Sequence, residues 1–182
     1  NDTVMDIGAG YCEFINAIRC KAKIAVDSNP DVKKYAQENV TVLQTDVLHI
    51  PNGYKNSIDV IFMSNFLEHL PKRDDVVTVL TFAKRFLKKD GVLLILQPNI
   101  DLVKEHYWDF IDHYTALNEK SLTEALLLSG FIIERFIKRF LPYSTVASTL
   151  SMHPWLIRAY LLTPPVLRPF AGQSFCVARK AG

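Results

Sequence analysis

The stretch that most constrains this chain is Val4-Met5-Asp6-Ile7-Gly8-Ala9-Gly10-Tyr11-Cys12-Glu13-Phe14, where an apolar run breaks at two glycines and resumes with helical periodicity. A strand that turns directly into a helix needs a residue free to take positive φ, which Gly8 supplies. Gly10, with no Cβ, lets a ligand lie against the backbone. Asp6 stands at the strand end, where a carboxylate on a buried edge can meet a cationic ligand. A tight turn without a ligand explains this stretch equally well when it is taken alone. The residues downstream decide between the two.

Phe14, Ile15 and Ile18 recur at helical spacing, which predicts a helix over Cys12 to Arg19. Lys23 to Asp27 is a short apolar strand ending in an acid, and Asp27 lies 21 residues beyond Asp6. That is the spacing at which α/β domains bring a carboxylate onto a ribose diol. A carboxylate can accept from both hydroxyls at once. The plainer role for Asp27 is to cap a helix opened by Ser28-Asn29-Pro30 and running Asp31 to Glu38. Val40 to Thr45 reads as a third strand closed by Asp46, which either joins Asp27 on the carboxyl edge or merely caps the turn through Val47 and Leu48.

Ile58 to Ser64 is the most apolar strand so far and is expected at the sheet centre, with His69 just beyond its exit. A helix over Pro71 to Leu87 should end in a basic turn, Lys88-Lys89-Asp90-Gly91, that complements its dipole, and Gly91 to Leu96 is the fifth strand. An aromatic-rich segment, Asp101 to Leu117, then carries Tyr107, Trp108, His113 and Tyr114, residue types suited to walling a substrate pocket. A helix from Ser121 to Ser129 stops at Gly130, and Phe131 to Phe140 and Ser174 to Arg179 are the last strands. Joined without a full crossover helix, they should pair as a long-looped hairpin. The expected fold is therefore α/β: a doubly wound seven-stranded sheet, mostly parallel with an antiparallel last strand, and helices on both faces.

With 182 residues, nearly half of them apolar, one domain spanning 1–182 is expected. A net charge of +2 with dispersed basic residues gives no reason to expect nucleic acid. Cys12, Cys20 and Cys176 are an odd number in no metal-ligand spacing, and the chain lacks the pattern of a signal peptide. A cytoplasmic location is expected on those grounds.

Taken together, these residues resemble the class I S-adenosylmethionine-dependent methyltransferases, in the type 11-like small-molecule branch, over almost the whole chain. Asp6-Ile7-Gly8-Ala9-Gly10-Tyr11-Cys12 is similar to that family's D-x-G-x-G-x-G turn, with Cys12 in place of the third glycine. Ser64 to Leu70, Phe86 to Gly91 and Ser129-Gly130-Phe131 also match its pattern. A leading segment that often forms a lid in this family is expected to be missing. The resemblance implies S-adenosylmethionine as cofactor. It places Gly8 and Gly10 along the methionine portion and Asp6 at the turn and ammonium. Asp27, with its neighbour Ser28, falls at the ribose, Asp46 and Val47 at the adenine, and the Ser64 carbonyl at the ammonium. A sulfonium-bearing ligand without phosphate suits an acid-flanked turn. A dinucleotide oxidoreductase fits less well, because Glu13 stands where its third small residue belongs.

The implied reaction is methyl transfer to a small molecule, most simply at oxygen, for which a histidine base is useful; His69 and His113 are the candidates. Trp108, Tyr107 and Tyr114 are the candidate substrate contacts. Glu105, Asp109 and His113 would share one face of a continuous helix, but such a face is more often simply solvated, so no metal site is expected. The proline-punctuated 141–170 insert is expected to be either plain packing or a peripheral lipid contact through Trp155, Leu156, Tyr160 and Leu161 with Arg158 and Arg168, which would fit a glycosylated or lipid-linked acceptor. A non-catalytic domain of the same fold is the alternative from another functional class.

Overall fold

The computed structural model describes residues 1–143 and 154–181. Five strands, β1 (Thr3–Ile7), β2 (Ala22–Asp27), β3 (Val40–Gln44), β4 (Ile58–Ser64) and β5 (Leu87–Pro98), are parallel. The last two, β6 (Phe131–Pro142) and β7 (Ala171–Lys180), complete the sheet in the order β3-β2-β1-β4-β5-β7-β6. Here β7 runs antiparallel between β5 and β6. The doubly wound sheet and its antiparallel end are as expected from the sequence, and β4 is the middle strand.

Alternation along the parallel strands sorts their side chains onto two faces. Met5, Ile7, Ile24, Val26, Ile61, Met63, Leu93 and Ile95 pack with Val76, Val79, Leu80 and Ala83 of α3 (Arg73–Lys84) and with Leu122, Ala125 and Leu126 of α5 (Glu119–Leu128). Val4, Ala25 and Val40 face the other way, onto Ile15 of α1 (Glu13–Ala17) and Val32 of α2 (Val32–Tyr35). A one-turn helix, α4 (Ile100–Val103), follows β5, and α6 (Pro154–Leu162) precedes β7.

Several boundaries differ from the sequence reading. The first helix is shorter than Cys12 to Arg19, because Cys12 sits at φ 58° as its N-cap and Ile18 is already extended. The long helix ends at Lys84 rather than Leu87. Leu87 instead pairs with Ile58, and the strand reaches the Val60–Val92 pair through an irregular step in which Asp90 has φ 61°. Lys88 therefore serves no helix dipole; its ammonium lies 2.7 Å from Asp59, whose carboxyl is held below its ordinary range by Lys88 and by the Thr3 N–H. Gly130 ends α5 at φ 75°, as expected. Strand β6 continues to Pro142, so the segment between the last strands starts after it. Residues 144–153 of the 141–170 insert lie outside the described part.

The strand order reverses between β1 and β4. In open α/β sheets, the carboxyl ends of the strands at such a reversal frame a crevice, and here the ends of β1, β2, β3 and β4 open onto it.

Candidate active site

The β1 turn is held from the neighbouring strand: the Gly8 and Ala9 amides donate to the Val26 carbonyl at 2.9 and 3.2 Å. One Asp27 carboxylate oxygen accepts from the Gly10 amide and the other from the Asn29 amide, each at 2.8 Å. A carboxylate offers about four lone-pair sites, so roughly two remain for hydroxyl donors. Asp27 is thus both the turn's clamp and a free acceptor. Gly8 (φ 74°) could not carry a Cβ, which would fall 2.6 Å from Phe66, whereas a Cβ on Gly10 (φ 48°) would meet nothing within 4 Å. The space beside Gly10 is the cleft.

That cleft encloses about 490 Å³, lined by Gly8, Gly10, Asp27, Ser28, Asp46 and Val47 together with Thr45, Asn65, Phe66, His69 and Asp112. Asp46 keeps its capping role as well, accepting from the Leu48 amide at 2.8 Å. Asp6 is only 3% exposed, and burial first, then the charge of Asp27, pushes its carboxyl up to about 7. Among the described residues no Lys or Arg lines this cleft. Three aspartates, Asp27, Asp46 and Asp112, line a cleft without Lys or Arg, which favours a ligand that brings positive charge and opposes a pyrophosphate.

A second cavity of about 560 Å³ adjoins the first and shares Asn65, His69 and Asp112 with it. Its other walls include Ser64, Glu68, Phe110, His113, Tyr143 and Gln173. A backbone splice assembles it: the Tyr114 and Thr115 amides donate to the Glu68 carbonyl at 2.8 and 3.0 Å, and the Thr115 hydroxyl donates to the Leu70 carbonyl at 2.7 Å. This joins the aromatic segment to the turn after β4 and sets the rings of His69 and His113 5.2 Å apart, edge to face, with Phe110 stacked on His113.

Each ring is oriented by a main-chain oxygen. His69 Nδ1 lies 2.9 Å from the Asp112 carbonyl, and His113 Nδ1 lies 2.9 Å from the Tyr107 carbonyl. A carbonyl can only accept, so each Nδ1 carries a proton, and in the neutral ring the lone pair is then on Nε2. Burial, outweighing the Tyr107 carbonyl, holds the His113 pKa below its ordinary value, so the ring is neutral at pH 7.

The three expected substrate aromatics do not line either cavity. Tyr107 is fully buried, its hydroxyl donating to the Thr115 carbonyl at 2.6 Å, and Trp108 and Tyr114 are more than half exposed. The aromatic walls are Phe110 and Tyr143 instead. Glu105, Asp109 and His113 share no helix face, because residues Lys104–Asp109 form a 3-10 turn that ends before His113. The sequence reading missed Asn65, which turns out of β4 at φ 46° and accepts from Gln173. It also missed Glu68, whose signal was present as an acid inside the apolar run Phe66-Leu67-Glu68-His69-Leu70.

A family model described as "Methyltransferase domain" matches residues 5–95. No curated protein matches the chain. Among solved structures, a SAM-dependent methyltransferase from Archaeoglobus fulgidus superposes with a TM-score of 0.68 at 20% identity, covering 98% of this chain and 86% of its own. An S-adenosylmethionine-dependent methyltransferase from Mesorhizobium loti gives 0.68 at 14% identity, with 99% and 91% covered. A geranyl diphosphate methyltransferase solved with SAM gives 0.69 at 14%, with 100% and 79% covered.

Proposed function

The chain belongs to the methyltransferase-domain family and is an S-adenosylmethionine-dependent methyltransferase, and from that premise we propose that it methylates a small-molecule acceptor at oxygen, with the cofactor in the Gly10 cleft and the acceptor in the adjoining cavity. The observation that carries this reading is the shared wall: Asn65, His69 and Asp112 border both spaces, so a group in one can reach a group in the other.

The residues present fit the cofactor. It brings an ammonium and a sulfonium to a cleft lined by aspartates and by no Lys or Arg, and when bound it supplies a methyl group already activated for displacement. The turn of Gly8 and Gly10 would hold the methionine portion, with Asp6, buried and lining neither cavity, supporting the turn and its ammonium. The Ser64 carbonyl would help fix that ammonium from the adjoining cavity, which Ser64 borders. Asp27, flanked by Ser28, takes the ribose hydroxyls through the lone pairs left by the Gly10 and Asn29 amides. Asp46 and Val47 border the adenine. Alignment of acceptor oxygen and methyl group supplies most of the acceleration in such a displacement. His113, neutral and with Nε2 free, takes the proton from the acceptor hydroxyl, and His69 at the shared wall fixes where that hydroxyl stands.

Two further readings concern location and partners. No helix among the described residues is long and apolar enough to cross a membrane. Arg168, expected among the lipid-facing cations, is instead buried, donating to the Thr163, Arg139, Phe140 and Leu161 carbonyls. Trp155, Leu162, Val166, Leu167 and Phe170 are nonetheless exposed, which supports peripheral contact with lipid and an acceptor that is lipid-linked or glycosylated. Liposome flotation tests it: full recovery of protein in the unbound fraction removes this reading.

The decisive experiment pairs calorimetric titration of S-adenosylmethionine with release of S-adenosylhomocysteine over a panel of hydroxyl acceptors. Asp27→Ala should weaken cofactor binding roughly 100-fold, the loss of two charge-assisted hydrogen bonds, and Asp46→Ala should weaken it less. Cofactor binding without turnover on any acceptor would favour the non-catalytic alternative.

A further inference from the structure

We propose that Glu68, His69 and His113 form a site for one divalent first-row transition-metal ion on the floor of the acceptor cavity. Three observations converge on it. A carboxylate oxygen of Glu68 and one ring nitrogen from each histidine lie within 4.8 Å of one another. Glu68 is 2% exposed, lines the cavity, and neither of its carboxylate oxygens has a hydrogen-bond partner. The Nδ1 atoms of both histidines are committed to backbone carbonyls, the arrangement that fixes the tautomer and presents Nε2 to a metal.

A buried carboxylate with both oxygens unpartnered demands an explanation, since each such group loses its hydration without recompense. Gln97 also has unpartnered side-chain atoms, but it lines neither cavity and has no such cluster beside it. At Glu68 the neighbours that converge are lone-pair donors; a protonated carboxyl satisfies one of them through its single O–H, whereas a cation satisfies all three at once. Two imidazoles and one carboxylate are the donor set of sites that bind iron, zinc, manganese or cobalt while leaving positions open. Bonds of about 2.1 Å need ligand atoms about 3.4 Å apart in a tetrahedral site. The three ligand atoms lie within 4.8 Å of one another, so an ion would have to draw the side chains together by up to about 1.4 Å to reach that spacing. Asp112, whose carboxylate lies 3.3 Å from His69 Nδ1, stands behind that ligand as an outer partner.

The proposal rests on the acceptor assignment above and narrows it. The open positions face the cavity, so the acceptors selected are those that offer an oxygen ligand; with an ion bound, His113 would ligate it in place of taking the proton, and the coordinated hydroxyl, acidified by the ion, would lose its proton to water.

The test is equilibrium dialysis of the full chain against Zn²⁺ or Co²⁺, with metal analysis and the visible d–d absorption of Co²⁺ as readouts. Calorimetry of S-adenosylmethionine is run on the same samples. Wild-type protein should retain about one equivalent. Glu68→Gln and His113→Ala, which lie outside the cofactor cleft, should each bind the ion at least 10-fold more weakly with cofactor affinity unchanged. That unchanged affinity also certifies the fold of each variant. Protein that binds the cofactor but retains less than about a tenth of an equivalent overturns the site, as does retention that neither variant lowers. A rise in KM for amine acceptors in metal-free Glu68→Gln, with no ion bound by wild type, overturns it in favour of an ammonium facing Glu68. Protein that retains the ion but binds no S-adenosylmethionine upholds the site and sinks the functional reading.

Discussion

The cofactor cleft and the acceptor cavity share a wall but are built by opposite means. The cleft takes its acids and glycines from the ends of β1, β2 and β3, three consecutive strands that lie side by side. Its contacts are backbone geometry and single carboxylates, so sequence spacing alone carries it. The acceptor cavity is closed by side chains from the turn after β4, the segment after β5, and the paired strands β6 and β7, so that His69 and His113 meet across 44 residues. A family turn is inherited as one piece, whereas a pocket wall is composed from several. Changes in one half should therefore leave the other half's observable untouched.

The sharpest break of that contrast comes from His113. His113→Ala should lower kcat/KM by roughly 100-fold or more, the usual worth of a positioned proton acceptor or its equivalent, while the dissociation constant of S-adenosylmethionine stays within twofold. Asp27→Ala should do the reverse, acting first on cofactor affinity. If His113→Ala weakens cofactor binding as much as turnover, the two spaces form one site and the division falls.

Legibility follows the same line. Gly8, Gly10, Asp27 and Asp46 could be placed from the sequence because parallel strands joined by short helices bring successive carboxyl ends together. The helix end at Leu87 could not, because Phe86 and Leu87 continue the apolar stripe of α3 while Leu87 already pairs with Ile58. Tyr107 was an attractive substrate contact by composition. Nothing in its neighbours announces that its hydroxyl is used to brace Thr115. Glu68 is not legible in the sequence as a buried group, because an acid next to a histidine near a strand exit ordinarily faces water; in the fold the Tyr114 and Thr115 amides return to the Glu68 carbonyl and the side chain is buried.

Asp6 gives the next largest effect, and its sign is fixed by the direction of its shift. The folded carboxyl titrates near 7, above its ordinary value of 3.8, so the folded protein holds a proton that the unfolded chain has released. Without cofactor, this group's contribution to stability falls as pH rises from about 4 to 7 and is level above that. The cofactor's ammonium favours the ionised form, so affinity should rise with pH up to about 7, by as much as roughly 10-fold per unit. Asp6→Asn should flatten that rise, weaken binding at pH 8, and raise the apo melting temperature above pH 7. A cofactor affinity independent of pH from 5 to 8 would place the ammonium elsewhere.

The two glycines of the turn separate fold from binding within the cleft itself. Gly8→Ala drives a Cβ to 2.6 Å from Phe66 and should destabilise the protein measurably in chemical denaturation. Gly10→Ala meets no protein atom, so its folding cost is confined to the left-handed backbone, about 1 kcal/mol. Its Cβ fills space reserved for the ligand, and S-adenosylmethionine should bind about 10-fold more weakly. Equal effects of both substitutions on binding, at equal stability, would mean that the methionine portion does not lie along Gly10.

The smallest expected effect concerns Cys12, where this chain departs from the family's glycine. The position requires φ 58°, which explains why the family uses glycine there and locates strain in this chain at its helix start. The side chain is fully buried, with Sγ 3.8 Å from the Val32 carbonyl, so packing against α2 offsets part of that strain. Replacing cysteine by either glycine or alanine removes the sulfur; only glycine also removes the penalty for positive φ. In an ordinary helix interior alanine is the more stable of the two by about 1 kcal/mol. Here the order should invert, with Cys12→Gly more stable than Cys12→Ala by roughly 0.5 kcal/mol in urea denaturation. The ordinary order would mean that the buried Cβ holds α1 against α2 more strongly than the left-handed backbone opposes it. The cysteine would then be a packing residue that the turn tolerates rather than a strained substitute for glycine.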